Sequence, residues 1–474
     1  MQKRKVLILI VVLMIVFVSI KLAAEEGPKI QKQNNNTVLS IREFIDLSTR
    51  KDTEFEKILI NELSLQYEKD LGLPARDIVF SVKGQYDFIL SQDREETEAG
   101  VSLSKLFPSV DTTLTAGYDV TPSYTSTEST SEFTFEVSQP IAKNAFGKAT
   151  KLQDKIIGIE IDVARHQIVE AYEDYLAVLI AGYYDWYQAY ENLKIGESSY
   201  QENTKLLGNI RERRKASIAL PIDVNKISLQ VLAKREKLIE LKKEYDKALN
   251  FVKKAIRLEG NEEIIPKEPY LYDEITISFN EDYGVFEKES RTYKMLNLLE
   301  EKSSLKVNED ANALLPSIDL LLGCKVKGKD WGIKNEDNTA YAGLSIEWPF
   351  PGQVEKAEYE TAKIALEKTK LSAVGTHFKL YTDIKNLSIG MESEKELLSI
   401  AKEKIALAKS VLKDETENYS FGKITLNDYI DAVNVFDNNR FNKILHNMSY
   451  KKLVIEWLRM TDNLVVERDI QRLR

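Results

Sequence analysis

The chain has 474 residues, of which 43% are hydrophobic and 30% charged, with a formal net charge of −9. That length accommodates two or three ordinary domains, and that density of charge excludes a multi-span helical membrane protein. The acidic balance speaks against nucleic acid as a partner, and a single cysteine, Cys324, excludes an internal disulfide framework or a cysteine-based metal cluster.

The N-terminus reads as a targeting signal. Lys3, Arg4 and Lys5 precede an apolar run from Val6 to Ile20, broken only by Ser19, and Lys21-Leu22-Ala23-Ala24 closes it with small residues. The run is too short for a comfortable membrane span, so residues 1–24 are expected to be a cleaved signal peptide. Without its four positive charges the chain carries 62 basic and 75 acidic residues, a net charge of −13.

Residues 25–76 read as N-terminal helices. From 77 to 140 the apolar period changes to two. Candidate strands are 78–90, 98–106, 109–120 and 131–139. Ile78, Phe80, Val82, Tyr86, Phe88 and Leu90 fall on one face of the first, with Ser81, Lys83, Gln85 and Asp87 on the other. Val110, Leu114, Ala116, Tyr118 and Val120 alternate with Asp111, Thr113, Thr115 and Asp119. The Ser/Thr-rich stretch from Thr121 to Ser131 is expected as an exposed loop. A long helical hairpin follows over 141–258: a Gly-poor, Pro-free run from Phe146 to Lys215, a turn at 216–223, and a second helix to Ile256. Residues 259–312 form a linker and a helix. Two more strands, 317–327 and 340–349, occupy 313–350. Ile318, Leu320, Leu322, Cys324 and Val326 share one face there. The second long hairpin, 351–460, runs from Gln353 to Tyr419, turns at 421–428 and resumes to Arg459. Residues 461–474 form a tail.

The order strand, long helix, turn, helix thus occurs twice. Pro140 and Pro349 end the strands 209 positions apart, whereas Asp223 and Asp428 follow the turns 205 apart. The drift of four residues is about one helical turn. A helix of about 70 residues is roughly 105 Å long, far beyond the globular norm. Ala401, Ile405, Ala408 and Leu412, and Ile227, Val231, Leu238, Tyr245, Leu249, Val252 and Ile256, form stripes suited to coiled-coil packing. Strands of about ten residues are long enough to cross a bilayer when tilted in a barrel. Phe107, Tyr124, Trp331, Tyr341, Trp348 and Phe350 at their ends suit an interfacial girdle. A half-buried antiparallel sheet gives the same alternation. The export signal, the spanning-length strands and the twofold repeat together favour the membrane.

At this point the sequence resembles the TolC-type outer-membrane efflux and secretion channel family, from about Thr37 to Leu464. Its most specific piece is Tyr419-Ser-Phe-Gly-Lys-Ile-Thr-Leu-Asn-Asp-Tyr-Ile-Asp-Ala432. Leu103-Ser-Lys-Leu-Phe-Pro-Ser109 and Gln139-Pro-Ile141 resemble strand-end motifs of longer members. The resemblance implies a mostly α fold with membrane β: a trimeric outer-membrane β-barrel continued by a long periplasmic α-helical barrel, with an internal twofold repeat. Segments 25–76 and 259–312 become the equatorial region. Two strand pairs cannot close a barrel alone, and open edges are not tolerated in lipid, so several protomers must pool strands. The family's simplest members have two strands per repeat. Here the first half offers four, which leaves open an extra hairpin above the barrel or a barrel of more than twelve strands.

By the same resemblance the helix tips form the periplasmic gate. Tyr419, Asp428 and Asp431 match gate positions, and Asp223 matches the first-repeat acid to which the tyrosine hydrogen-bonds. Three copies of Asp428 and Asp431 make a ring of six carboxylates, which favours cations and raises some of their pKa values by crowding. Asp428 also suits a plain helix N-cap. Ile424 stands where the family has a basic residue. Ser217, Ile218, Gly422, Lys423 and Ile424 would dock an adaptor. Ser217 stands where the family has glycine and takes a positive φ less readily, so the tips are expected to dock unequally. The implied partners are two further copies, a periplasmic adaptor, an inner-membrane transporter and outer-membrane lipid, in a double-membraned bacterium.

No H-E-x-x-H, C-x-x-C, G-x-S-x-G or phosphate-loop motif occurs. Neither a cofactor, a metal nor a catalytic residue is expected. His166, His377 and His446 fall in helical runs far apart in sequence and read as structural or surface histidines. Two rival readings remain, a periplasmic adaptor and a structural coiled-coil protein of the envelope. An adaptor needs one hairpin between lipoyl-like half-motifs, and this chain has two hairpins, each preceded by strands.

Overall fold

The computed structural model describes residues 32–33, 36–74, 76–89, 94–122, 129–259, 263–271, 278–329, 332 and 337–465. The expected signal peptide, Tyr124, Trp331 and residues 466–474 lie outside them. Nine strands and nine helices of five or more residues occur among the described residues. In chain order they are β1 (Lys32–Gln33), β2 (Asn36–Leu39), α1 (Ile41–Lys51), α2 (Thr53–Ser64), α3 (Glu68–Gly72), β3 (Ile78–Ile89), β4 (Arg94–Phe107), β5 (Thr112–Thr121), β6 (Thr130–Pro140), α4 (Lys148–Lys215), α5 (Pro221–Ala255), β7 (Ile264–Pro266), α6 (Phe279–Glu289), α7 (Arg291–Ala313), β8 (Ser317–Lys329), β9 (Asp337–Glu347), α8 (Gln353–Ser420) and α9 (Leu426–Met460). No described helix is long and apolar enough to cross a membrane.

The repeat is more regular than the sequence suggests. Helices α4 and α8 have 68 residues each, and α5 and α9 have 35 each. The whole drift of four residues lies before the helices. Seven residues, 141–147, separate β6 from α4, and three residues separate Pro349 from α8. The extra residues include a 3-10 turn, Ala145–Gly147. Each long helix is about 100 Å along its axis at 1.5 Å per residue.

The chain divides into two compact units. One holds residues within 1–55, 175–276 and 389–456, and the other residues within 56–174, 277–388 and 457–474. In the first, Tyr183 of α4 is fully buried and ties two strands that run parallel, β2 and β7. Its hydroxyl donates towards the carbonyls of Leu39 (2.7 Å) and Lys267 (2.8 Å) and accepts from the Lys267 N–H at 3.0 Å. Phe44 and Trp186 pack on its ring at centroid distances of 5.7 and 5.6 Å.

The second unit contains a six-stranded antiparallel sheet in the order β3-β4-β5-β6-β8-β9. The β3–β4 hairpin is thus part of the sheet plane and not a separate layer. Val110 and Asp111 lie in the β4–β5 turn, ahead of β5. That turn rests on the entry to α4. A Cβ on Gly147 (φ +72°) would meet the carbonyl oxygens of Pro108 and Ser109 at 2.8 Å, so only glycine admits this approach. Asn144 takes the left-handed conformation and its Oδ1 accepts the Ala149 N–H at 2.7 Å, capping α4. Tyr341 does not join an aromatic girdle. It lies on the polar face of β9, where its hydroxyl donates to Glu136 at 2.7 Å. Trp348 and Phe350 are exposed and meet edge to face.

Also in this unit, Arg291 at the start of α7 is buried among three carboxylates. It meets Glu170 at 3.1 Å, Asp462 at 3.2 Å and, more closely, Glu173. The Val465 N–H also donates to Glu173, at 2.9 Å. The three acids are close enough to hold a metal ion, but the guanidinium occupies the space between them and supplies the positive charge.

Candidate functional site

The helix tips are built from two turns of equal length, 216–220 and 421–425, that close in the same way. Ser217 has φ +61° and Gly422 has φ +70°. The next N–H groups reach back five residues, Ile218 to the Arg213 carbonyl at 2.8 Å and Lys423 to the Asn418 carbonyl at 2.9 Å. This is the left-handed C-terminal stop that satisfies orphan carbonyls. The turn imposes the same backbone on both residues, so Ser217 takes the positive φ that serine adopts less readily than glycine, and serine bears the steric cost. A Cβ on Gly422 would meet nothing within 4 Å, so glycine is favoured there by backbone conformation alone.

The returning helices start with an acid at the same place. Asp428 Oδ2 accepts from the Thr425 N–H (2.9 Å) and hydroxyl (2.7 Å), and the Asp428 N–H donates back to the Thr425 hydroxyl at 3.3 Å. This is a capping box with Thr425 as the cap, so Asp428 is its partner residue and not the N-cap itself. The Thr425 hydroxyl, and then its N–H, hold the Asp428 carboxyl below the usual range. Asp223 Oδ2 accepts the Leu220 N–H at 3.0 Å in the equivalent position. Asp431 is exposed, three residues beyond Asp428 and on the same helix face.

Tyr419 does not hydrogen-bond to Asp223. Its ring lies under the Arg213 guanidinium at 5.4 Å and stacks on Tyr429 at 5.2 Å, with 12° between the ring planes. Burial raises the Tyr419 pKa, Arg213 opposes the rise, and Asp223 adds to it through space. Burial likewise raises that of Tyr429. Beneath the stack a small apolar core joins both hairpins: Leu207 and Ile210 of α4, Ile227 of α5 and Leu426 of α9. Ile424 is half-buried, as a residue without charge can be, and the basic partner of the tyrosine comes from the end of α4 instead.

Higher on the same helices, buried Asp437 of α9 accepts from Lys234 of α5 at 2.8 Å and from Ser199 of α4. Gln230 Nε2 donates to Asn434 Oδ1 at 2.7 Å. These ties, with Arg213 and Tyr429, were not legible in the sequence, because each joins residues about 200 positions apart or hides in a run of ordinary helical charges. Outside the core, Ile218, Leu220 and Phe421 are each more than 60% exposed, and Lys423 lies over the Phe421 ring at 5.4 Å. The turns therefore present apolar side chains to solvent. The three histidines lie in α4, α8 and α9. His377 meets the Tyr293 hydroxyl at 3.0 Å and His446 meets Glu394 at 2.9 Å.

No protein-family model matches the sequence, and no curated protein sequence matches it. Solved structures do share its fold. The CmeC outer membrane channel of Campylobacter jejuni has a TM-score of 0.70 at 12% identity, over 91% of this chain and 89% of that one. The open state of the MtrE outer membrane channel of Neisseria gonorrhoeae has a TM-score of 0.67 at 13% identity, over 93% and 97%. The outer membrane protein VceC of Vibrio cholerae has a TM-score of 0.68 at 10% identity, over 89% and 95%. At such identities the likeness is one of fold, and it extends over nearly the whole of each chain.

Proposed function

Taking as premise that the chain has the TolC-type outer-membrane channel fold, we propose that it is one protomer of a homotrimeric exit duct in the outer membrane of a double-membraned bacterium. The observation that carries this reading is the exposed apolar face of the six-stranded sheet, which leads directly into two equivalent hairpins of 68 and 35 residues. An apolar sheet face left in water is unfavourable, and in lipid it costs nothing. The duct is passive. It serves a tripartite efflux pump or a type I secretion system, in which an inner-membrane transporter supplies the driving force and a periplasmic adaptor joins the two. No step of bond chemistry is assigned to any residue of this chain.

The helix tips are the gate. Tyr419 clasped between Arg213 and Tyr429, together with the Lys234–Asp437 and Gln230–Asn434 ties, holds the α8–α9 hairpin against α4–α5 in the closed state. Asp428 and Asp431 from three copies ring the constriction and favour cations. Ser217, Ile218, Gly422, Lys423 and Ile424 form the adaptor-docking tips, with exposed Ile218, Leu220 and Phe421 as the apolar contacts.

Membrane fractionation followed by planar-bilayer recording tests this reading. The expected result is an outer-membrane trimer whose conductance is blocked by multivalent cations, with the block lost in Asp428→Ala/Asp431→Ala. A monomer in the soluble periplasmic fraction would favour an adaptor or a structural coiled-coil protein. Wild-type block in the double variant would remove the two acids from the gate. Unchanged export after a bulky substitution at Gly422 would remove the turns from docking.

A further inference from the structure

A pore-lining sheet must keep polar side chains on one face and apolar ones on the other across every strand. The registers here allow each face to be followed strand by strand. One row is Phe80, Leu103, Ala116, Phe135, Cys324 and Ala340, a single residue from each of β3, β4, β5, β6, β8 and β9. The opposite face gives Lys83, Gly100, Asp119, Glu132, Lys327 and Asp337 in the same strand order. The β3–β4 hairpin carries the same two faces as the other four strands, in the same plane. It is also as tall as they are. Ile78 is level with Leu114 through Lys105, near the start of β5, while the far end of the hairpin runs past the end of β5.

The edges of the sheet matter as much as its faces. A twelve-strand trimeric barrel needs four strands from each protomer, and its seam would fall on the outer edge of β5. That edge is already paired with β4 across nine residues, Ala99–Phe107 against Thr112–Val120. The edges without a partner strand among the described residues are β3, with 12 residues, and β9, with 11. Unpaired backbone edges do not persist in lipid. β3 and β9 are the first and last of six alternating strands, so they run in opposite directions. A β9-to-β3 seam continues the antiparallel order and closes on an even strand number, as bacterial barrels require.

We propose that three copies of this chain join β3 of one to β9 of the next and close an eighteen-strand barrel. This rests on the trimeric-channel reading and deepens it. Barrel diameter grows roughly linearly with strand number, so the outer mouth is about one and a half times as wide as a twelve-strand mouth. The second copy is the occupant of both free edges, and the pore wall is incomplete without it.

Cysteine cross-linking of the purified full chain tests the seam, in a Cys324→Ser background that removes the exposed free thiol. Ser81→Cys in β3 and Thr115→Cys in β5 both lie on the polar face. Each is combined in turn with Thr339→Cys, Gly343→Cys or Ser345→Cys in β9, which share that face. After oxidation, denaturing gels are expected to show linked dimers and trimers in one or more Ser81 combinations and in none of the Thr115 combinations. A native-mass trimer that links through Thr115, or through neither strand, overturns the eighteen-strand barrel and leaves the channel reading in place. A native-mass monomer overturns both.

Discussion

At the scale of the residue, the two helix stops show how a turn can override a side chain's preference. Ser217 and Gly422 share a left-handed backbone, which costs an L-residue about 1 kcal/mol that glycine does not incur. Ser217→Gly is expected to stabilise the protein, and Gly422→Ala to destabilise it, each by about 0.5–1 kcal/mol. Denaturant unfolding of the purified variants checks this, and a loss of stability in Ser217→Gly would remove the strain from Ser217. The Arg213–Tyr419 contact gives a second prediction. Arg213→Met keeps most of the chain volume but loses a cation–π interaction worth about 0.5–1 kcal/mol at a partly exposed site. Its closed-state conductance in bilayers should rise relative to wild type, while the mass of the assembly stays the same. An unchanged conductance would mean that Tyr419 holds the tip through its packing on Tyr429 and the apolar core alone.

At the scale of the element, two helices and the end of a third are tied together by one cation. Arg291 opens α7, Glu170 and Glu173 lie on α4, and Asp462 follows α9 in a left-handed stop with φ +59°. Removing the guanidinium in Arg291→Met leaves three acids together without compensation, a loss of about 3–5 kcal/mol for a buried pair broken on one side. The pH dependence has a definite sign. Burial pushes Glu173 up to about 7, against the pull of Arg291. An acid whose folded pKa lies above its unfolded value binds its proton more tightly when folded. Its contribution to stability is therefore largest below its unfolded pKa and is lost as pH rises towards the folded one. Without Arg291 this effect grows, so the deficit of Arg291→Met is expected to be smaller at acid than at alkaline pH. Thermal melts of wild type and variant across that window measure it. A deficit that widened on acidification would show that the carboxylates stay ionised without the arginine.

At the scale of the whole molecule, the repeat decides where the ties between the two hairpins can form. All four helix stops recur 205 residues apart, Ser217 with Gly422 and Arg257 with Asp462, yet the ties between the hairpins are not symmetric. Asp437 of α9 takes both Lys234 and Ser199, so one buried acid links the second hairpin to both helices of the first. Asp437→Ala leaves the half-buried Lys234 without its partner, a change expected to cost about 1–3 kcal/mol locally. The expected outcome is a trimer that assembles but leaks, read as raised resting conductance or as sensitivity of cells to large antibiotics normally held outside. A variant that assembled and stayed closed would show that Tyr419 and the apolar core suffice to hold the tip.

Much of this architecture was legible in the order of residues. Alternation of period two in runs such as Ile78 to Phe88, and long Gly-poor runs such as Gln353 to Ser420, marked strands and helices, because the backbone geometry of each element imposes its period on neighbouring residues. The turns at 216–220 and 421–425 were legible for the same local reason. The position of the β3–β4 hairpin in the sheet, the choice of Arg213 and not Asp223 as the partner of Tyr419, the Lys234–Asp437 pair and the burial of Arg291 among three acids were decided only by the tertiary structure. Each depends on which distant segments lie side by side, 203 residues apart in the case of Lys234 and Asp437, and local residue order carries no period that records such a choice.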